Sequence, residues 1–563
     1  MLKRMNRNID IKSRRVQQSV SKLDGFLRAE YNSEKNYLEY YAGLETLDKV
    51  ISIKDQIIYG RRGTGKTHLL KALQEKLLAD DQKYLPVYID LRTFKPTLES
   101  NNDLYYALII FQEIVVEVLK CVYVNLDYLY QEYTVEQQKI IIDPQRRKIL
   151  ALLEKFNRSF DGKSFTKMGE TGFRVNEVKK LATNLKIAKI PELFGSKEVN
   201  KEIESEDEKI KYISFSDMSD AISELLEAVD IDRIFCLLDE WSEIPETSQY
   251  ILAEFLKRTF VPKKVTLKIA AIPNRTQLIS ENRIGLEDGG DIFGFPLDNR
   301  YIYELYPEIT KAFFNELLYK QLYLMDPQLY EIFYDNKEKR PVHNFINIFL
   351  ANQALREILI ASAGIPRDFL NIFISAYNIF FTKTNNRHLV VADIRNATVE
   401  WYGVDKKKTV DANSNAKLLL DKIINDILIT KKRCHFLIPE KYEKVKELND
   451  LIDLRVIHLR KRGISHKGNK GVVYNVYYLD YACYTSTNLY HNKINTTLLN
   501  EIETIDDFRE IRRVSLEDKF FEDFNMNIGN SFKCPKCGGM IDMNHPSYAQ
   551  HKICMHCWSK IEE

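Results

Sequence analysis

The 563-residue chain has almost no net charge, no long apolar run and few cysteines, and each shortage excludes something. Lys+Arg 82 against Asp+Glu 80 leaves only +2, so the molecule as a whole presents no polycationic surface to nucleic acid. Any such contact has to come from a local patch. No apolar stretch approaches the ~20 residues that a membrane-spanning helix needs. Residues 1–15 are basic and polar, without the apolar segment of a signal peptide. The simplest expectation is a cytoplasmic chain with no membrane contact. Of eight cysteines, Cys121, Cys236, Cys434 and Cys483 are scattered, as buried thiols of a reducing compartment are, and the other four cluster near the C-terminus. No nuclease or nucleotidyltransferase motif is present.

What is present begins with composition. With 45% hydrophobic and 29% charged residues the chain is globular, and its length predicts about three to four domains. The most informative stretch is QIIYGRRGTGKTHLL, residues 56–70. An apolar strand runs into Gly60-Arg61-Arg62-Gly63-Thr64-Gly65-Lys66-Thr67, which satisfies G-x-x-x-x-G-K-[ST], and an amphipathic helix follows from Lys66 through His68. The glycines allow backbone N–H groups to turn inward as an anion nest, and the helix N-terminus adds partial positive charge. Lys66 would reach the β- and γ-phosphates of a nucleotide, and the Thr67 hydroxyl would ligate Mg²⁺.

The rest of the chain arranges itself around that loop. Residues 1–36 read as a charged helical arm, packed on its own chain or on a partner. Residues 37–306 form an α/β nucleotide-binding domain built on a parallel sheet, interrupted by a charged insertion at about 126–211. Its second strand is 84–91. The strand 233–238 ends in Asp239-Glu240, an apolar run of the kind buried on both faces. Asp239 would hold the Mg²⁺ and Glu240 would polarise the attacking water. The strand 265–272 closes on Pro273-Asn274, where Asn274 either orients that water or simply forms a turn. A last strand is expected at Tyr301–Leu305. Residues 307–403 read as a helical lid containing Gly364-Ile365-Pro366-Arg367 at a helix start, where the turn would either aim Arg367 at the γ-phosphate or simply cap the helix beside a solvated arginine.

Taken in order, Gly60–Thr67, Leu238-Asp239-Glu240, Asn274 and Gly364-Ile365-Pro366-Arg367 resemble the motif series of AAA+ ATPases. The Gly-x-Pro-Arg form, with a helical lid and a winged helix behind it, is similar to the origin-recognition (initiator) clade and its bacterial relatives. The resemblance implies Mg²⁺-dependent ATP hydrolysis, with Lys66, Glu240, Asn274 and Arg367 in the chemistry. It also implies a homo-oligomer in the ATP state, and mobile-element or anti-phage defence loci in which an effector protein is the partner. An arginine finger falls on Arg283 or Arg300, and nothing chooses between them. The insertion departs from the pattern.

Behind the lid, 404–492 read as a polar linker (residues 406–414) and a winged helix. Helices at 415–429 and 440–457 flank a strand at 434–438, and the last two strands join through a basic glycine-containing tip. Arg455, Arg460, Lys461, Arg462, Lys467 and Lys470 make this the densest positive patch in the chain, and Arg460, Lys461, Arg462, Lys467 and Lys470 are the candidates for DNA phosphates. The alternative is a nucleotide-gated signalling scaffold whose wing docks proteins. In 493–563, Cys534-Pro535-Lys536-Cys537 and Cys554-Met555-His556-Cys557 have zinc-ribbon spacing, giving four thiolates for a closed structural Zn²⁺ site. His545, His551 and His556 are then bystanders, and metal would supply the folding energy of so short a tail.

Overall fold

The structure is a computed structural model that describes residues 9–26, 36–94, 103–129, 134–159, 215–229, 231–261, 263–384, 386–465, 471–485, 514–543 and 545–561. The chain divides into two compact units, Ser33–Gly60 with Lys66–Leu297, and Met1–Asn32 with Arg61–Gly65 and Asp298–Glu563.

In the first unit, β1 (Gln56–Tyr59), β2 (Tyr84–Asp90), β3 (Arg233–Asp239), β4 (Val265–Ala271) and β5 (Phe293–Pro296) form one parallel sheet in the order β2-β3-β4-β1-β5. The strands read as continuous apolar runs because helices cover both faces. Successive side chains leave the strand on opposite sides, so Ile57, Cys236, Leu238 and Ile269 enter one core with the helices Asp103–Leu129 and Glu246–Phe260. Ile58, Phe235, Leu237 and Ala270 enter the other, against Leu69, Leu70 and Leu73 of the helix Lys66–Leu78. The expected strand at Tyr301–Leu305 is instead a run of turns. Its place at the sheet edge is taken by Phe293–Pro296, whose glycine and proline disguise it. Of the expected insertion, the first part is helical (Val135–Ser159), and 160–214 lie outside the described residues.

In the second unit the lid helices Pro307–Met325, Asn352–Ala361, Pro366–Phe381 and Val391–Trp401 share an aromatic core that includes Phe314, Phe345, Phe349, Phe369, Phe373 and Tyr377. The N-terminal helix Arg14–Leu23 packs on this lid with Val16, Val20 and Leu23 buried, and Arg15 forms a fork with Asp326. The arm therefore lies on its own chain. The winged-helix sheet is β6 (His435–Pro439), β7 (Ile457–Ser465) and β8 (Val473–Leu479), antiparallel with β8 central. The stretch read as a polar linker is helical. A π-turn at Tyr402–Lys407 continues the last lid helix and places Lys406 in the interior. The helix expected over 440–457 is shorter, Lys446–Asp453, because Ile457 already belongs to β7. Among the described residues no helix is long and apolar enough to cross a membrane.

Candidate nucleotide site

Three adjacent strands deliver the predicted residues to one end of the sheet. β1 leads to Gly60, whose N–H donates to Ala271 O of β4 at 3.0 Å. Lys66 opens the following helix, and its Nζ folds back to donate to Gly60 O at 2.6 Å. Thr67 is the helix's second residue and partly exposed. The His68 side chain turns aside to Tyr37 O (3.0 Å) and sits edge-on to Tyr37 and Tyr41.

β3 ends in Asp239, which is fully buried and paired in register with Asp90 of β2. Its carboxylate accepts from Tyr88 Oη at 2.8 Å and from the Glu240 N–H at 2.9 Å. Glu240 takes a left-handed backbone (φ 58°), which swings its side chain out of the strand direction. Burial, and then the neighbouring Asp239, push the Glu240 carboxyl above its ordinary range, while Lys66 and Arg92 pull it down. Arg92 lies 3.9 Å from Glu240 Oε1 and is held on Asp90. Asn274 follows β4 on a short 3-10 turn, Pro273–Arg275. That turn is pinned: Ser242 Oγ accepts from Ile272 N–H (2.7 Å), and Gln249 donates to Arg275 O (3.0 Å) and accepts from Gln277 N–H (2.8 Å). Motif reading missed Tyr88, Arg92, Ser242 and Gln249. The signal for Tyr88 was its place in β2, two residues before the acid at the strand end.

The segment Arg61–Gly65 belongs to the unit of the lid and winged helix. Both the Arg61 N–H and its Nε donate to Asp298, at 3.2 and 3.1 Å. The Arg61 guanidinium also donates to His458 Nδ1 on β7. The Arg61 side chain, which the motif predicts beside the nucleotide, is thus buried among protein groups. Arg62 is exposed, and its carbonyl accepts from Arg455 at 3.1 Å. Gly63 (φ 88°) meets the helix Pro366–Phe381: its carbonyl accepts from Arg367 N–H (3.3 Å), and a Cβ here would lie 2.8 Å from Arg367 Cβ. Thr64 Oγ1 donates to Arg61 O at 2.9 Å, and Gly65 has φ 91°. Gly364 (φ 79°) makes the turn before Arg367, where a Cβ would lie 2.7 Å from Tyr301 O. Arg283 is exposed with φ 59°, and Arg300 is partly buried.

The basic patch is smaller than its sequence. Arg460 is buried, over the Tyr478 ring and beside Glu304, so it cannot reach a phosphate backbone and is withdrawn from the DNA candidates. Arg455 is equally interior. Lys461 and Arg462 are exposed, Arg462 bridging to Glu443 at 2.7 Å. Lys467 and Lys470 lie outside the described residues.

In the tail, Cys534, Cys537, Cys554 and Cys557 bring all four Sγ atoms within 4.8 Å of one another. The distances Cys534–Cys557 (3.8 Å) and Cys537–Cys554 (3.7 Å) match the ~3.8 Å edge of a tetrahedron with Zn–S bonds of about 2.3 Å. The donor set fits Zn²⁺. His556 donates from Nε2 to Met540 O and is no ligand.

A parallel sheet with a phosphate loop after β1, acids ending β3 and a helical lid defines an AAA+ nucleotide-binding protein. The chain belongs to the ORC-CDC6-like family, whose family model matches residues 25–349. Among solved structures, it is similar to the Aeropyrum pernix Orc1 protein in complex with DNA, at 12% identity and TM-score 0.32, over 81% of this chain and 95% of that one. It is also similar to Drosophila ORC bound to DNA, at 10% identity and TM-score 0.29, over 86% and 94%. No curated protein sequence matches it.

Proposed function

We propose that the chain binds and hydrolyses ATP and uses the nucleotide state to control engagement of DNA through its winged helix. The observation that carries the first half is the sheet order. β4, which leads to Asn274, is hydrogen-bonded on one side to β1, which leads to the phosphate loop, and on the other to β3, which ends in Asp239-Glu240. Backbone amides at the helix start and Lys66 hold the phosphates. Mg²⁺, when bound at Thr67 and Asp239, supplies charge neutralisation on the β- and γ-phosphates. Glu240 accepts a proton from water as the water oxygen bonds to the γ-phosphorus. The bond from that phosphorus to the bridging oxygen breaks, leaving ADP and phosphate. Asn274 orients the water, and Arg367 places a cation against the loop at Gly63.

DNA engagement is supported by the winged-helix sheet, whose β7 carries the exposed Lys461 and Arg462. The same reading includes assembly of several copies with ATP, and an effector partner in a mobile-element or phage-defence system. The motif resemblance alone supports those two points. A mobility-shift titration with ATP, ADP and no nucleotide tests the whole. Salt-sensitive binding that changes with nucleotide is expected, and ATP turnover with no DNA binding in any state would leave a protein-recruiting scaffold.

A further inference from the structure

The loop residues Arg61, Arg62 and Gly63 are held at consecutive positions by the lid and the winged helix. Arg61 is fixed by Asp298 and His458, the Arg62 carbonyl by Arg455, and the Gly63 carbonyl by the Arg367 N–H. Behind these contacts lies a buried charge chain. His458 Nε2 donates to Asp480 at 2.9 Å, and Asp480 also accepts from Lys406 Nζ at 2.8 Å. Arg455 lies 3.3 Å from Asp368 and pairs with Asp405. Arg61, Asp368, Lys406, Arg455, His458 and Asp480 are each at most 5% exposed.

The hydrogen-bond directions are determined. A guanidinium has only donors, so His458 Nδ1 must present its lone pair to Arg61, and the proton sits on Nε2, facing Asp480. Burial keeps the ring neutral by pushing its pKa down to about 3, which the Arg61 bond requires. Buried ion chains add little net stability against apolar packing, since desolvation offsets the attraction. What this one does is fix geometry. It presents an acceptor, His458 Nδ1, to the Arg61 guanidinium and a donor, Arg455, to the Arg62 carbonyl.

We infer that Arg61, His458, Asp480 and Arg455 are positioning residues of the phosphate loop, so that nucleotide affinity depends on winged-helix side chains that touch no nucleotide. By linkage, nucleotide in turn biases the state of the winged helix. The inference rests on the ATP-binding reading above.

The test measures the affinity of the full-length protein for a fluorescent ATP analogue, alongside thermal unfolding. The parent should bind and Lys66→Ala should not; absence of binding by the parent would sink the nucleotide reading itself. Given parent binding, His458→Phe should lose about tenfold in affinity, within the usual range of site-to-site coupling, with its unfolding transition retained. His458→Asn, whose amide oxygen replaces the Nδ1 acceptor for Arg61, should recover most of the loss. His458→Gln, which reaches Asp480 instead, should not. If His458→Phe does not fold, Arg61→Lys decides. It keeps a cation for Asp298 but falls short of His458, and the same loss is expected. Affinity within twofold of the parent in His458→Phe, or in Arg61→Lys if that variant is the one measured, would overturn the inference while leaving ATP binding intact.

Discussion

Replacing Tyr88 by Phe removes one hydroxyl and tests how Asp239 is held. The Asp239 carboxylate has no solvent exposure, and among the described residues the Tyr88 hydroxyl, at 2.8 Å, and the Glu240 N–H donate to it. A hydrogen bond to a charged group contributes about 1.5–3 kcal/mol, because a buried acceptor left without its donor keeps its desolvation cost. For a domain of this size ~1 kcal/mol shifts Tm by about 2–4 °C, so Tyr88→Phe should lower the Tm of the nucleotide-free protein by about 3–12 °C. A cation bound at Asp239 would satisfy the same oxygens. The deficit should therefore shrink by about half or more in saturating Mg²⁺ and ATP, since binding to the folded state offsets the lost donor. Differential scanning fluorimetry of both proteins, with and without Mg²⁺ and ATP, reads all four values. No destabilisation in the free protein would show that the bond contributes nothing. An equal deficit in both conditions would show that metal and hydroxyl do not share Asp239.

Glu240→Gln should nearly abolish turnover while keeping ATP bound, and Lys66→Ala should lose binding, because Lys66 acts in the ground state and Glu240 only on the attacking water. The raised pKa of Glu240 has a second consequence. The folded state binds the extra proton between the ordinary and the raised value, so the ionised carboxylate costs stability above that window. Glu240→Gln should thus raise Tm at neutral pH and lose that advantage as pH falls from the raised value to the ordinary carboxylate value, and the acid limb of parental turnover should lie above the ordinary value. Purified protein should carry about one zinc per chain by metal analysis, and Cys534→Ser with Cys557→Ser should lose it and render the tail protease-sensitive. In DNA titrations Lys461→Ala should reduce the log–log salt slope by about one, whereas Arg460→Ala, which removes a buried side chain, should leave the slope unchanged.

The motifs made the nucleotide end of the sheet legible because each is contiguous in the chain and each strand carries its own apolar signature. Gly63 shows the limit of that legibility: its sequence context predicts a turn around phosphate, and the structure adds that Arg367, three hundred residues away, fills the space where its side chain would be. The fifth strand was misplaced for a local reason. Tyr301–Leu305 has the β-propensity, but Tyr301 stacks on Phe313 at 3.6 Å in the lid, while the true edge strand needs only four residues and tolerates Pro296. Arg455 and Arg460 were unreadable because their partners are remote. The acids that meet them, Asp368, Asp405 and Glu304, are each fifty residues or more away in the chain and reach them only through the fold. A positive run in sequence is therefore no measure of positive surface.

The buried charges also bear on how freely such a protein exchanges parts. Lys406 sits between Asp368, which lies on the lid helix Pro366–Phe381, and Asp480, which lies beyond the last strand of the winged helix. A recombinant that received a foreign winged helix without a matching acid would leave the buried ammonium with Asp368 alone, and breaking an interior pair costs about 3–5 kcal/mol. The lid and the winged helix are joined in this respect as one unit of inheritance: grafting should fail when the cut falls at the chain's more obvious seam near Asn413.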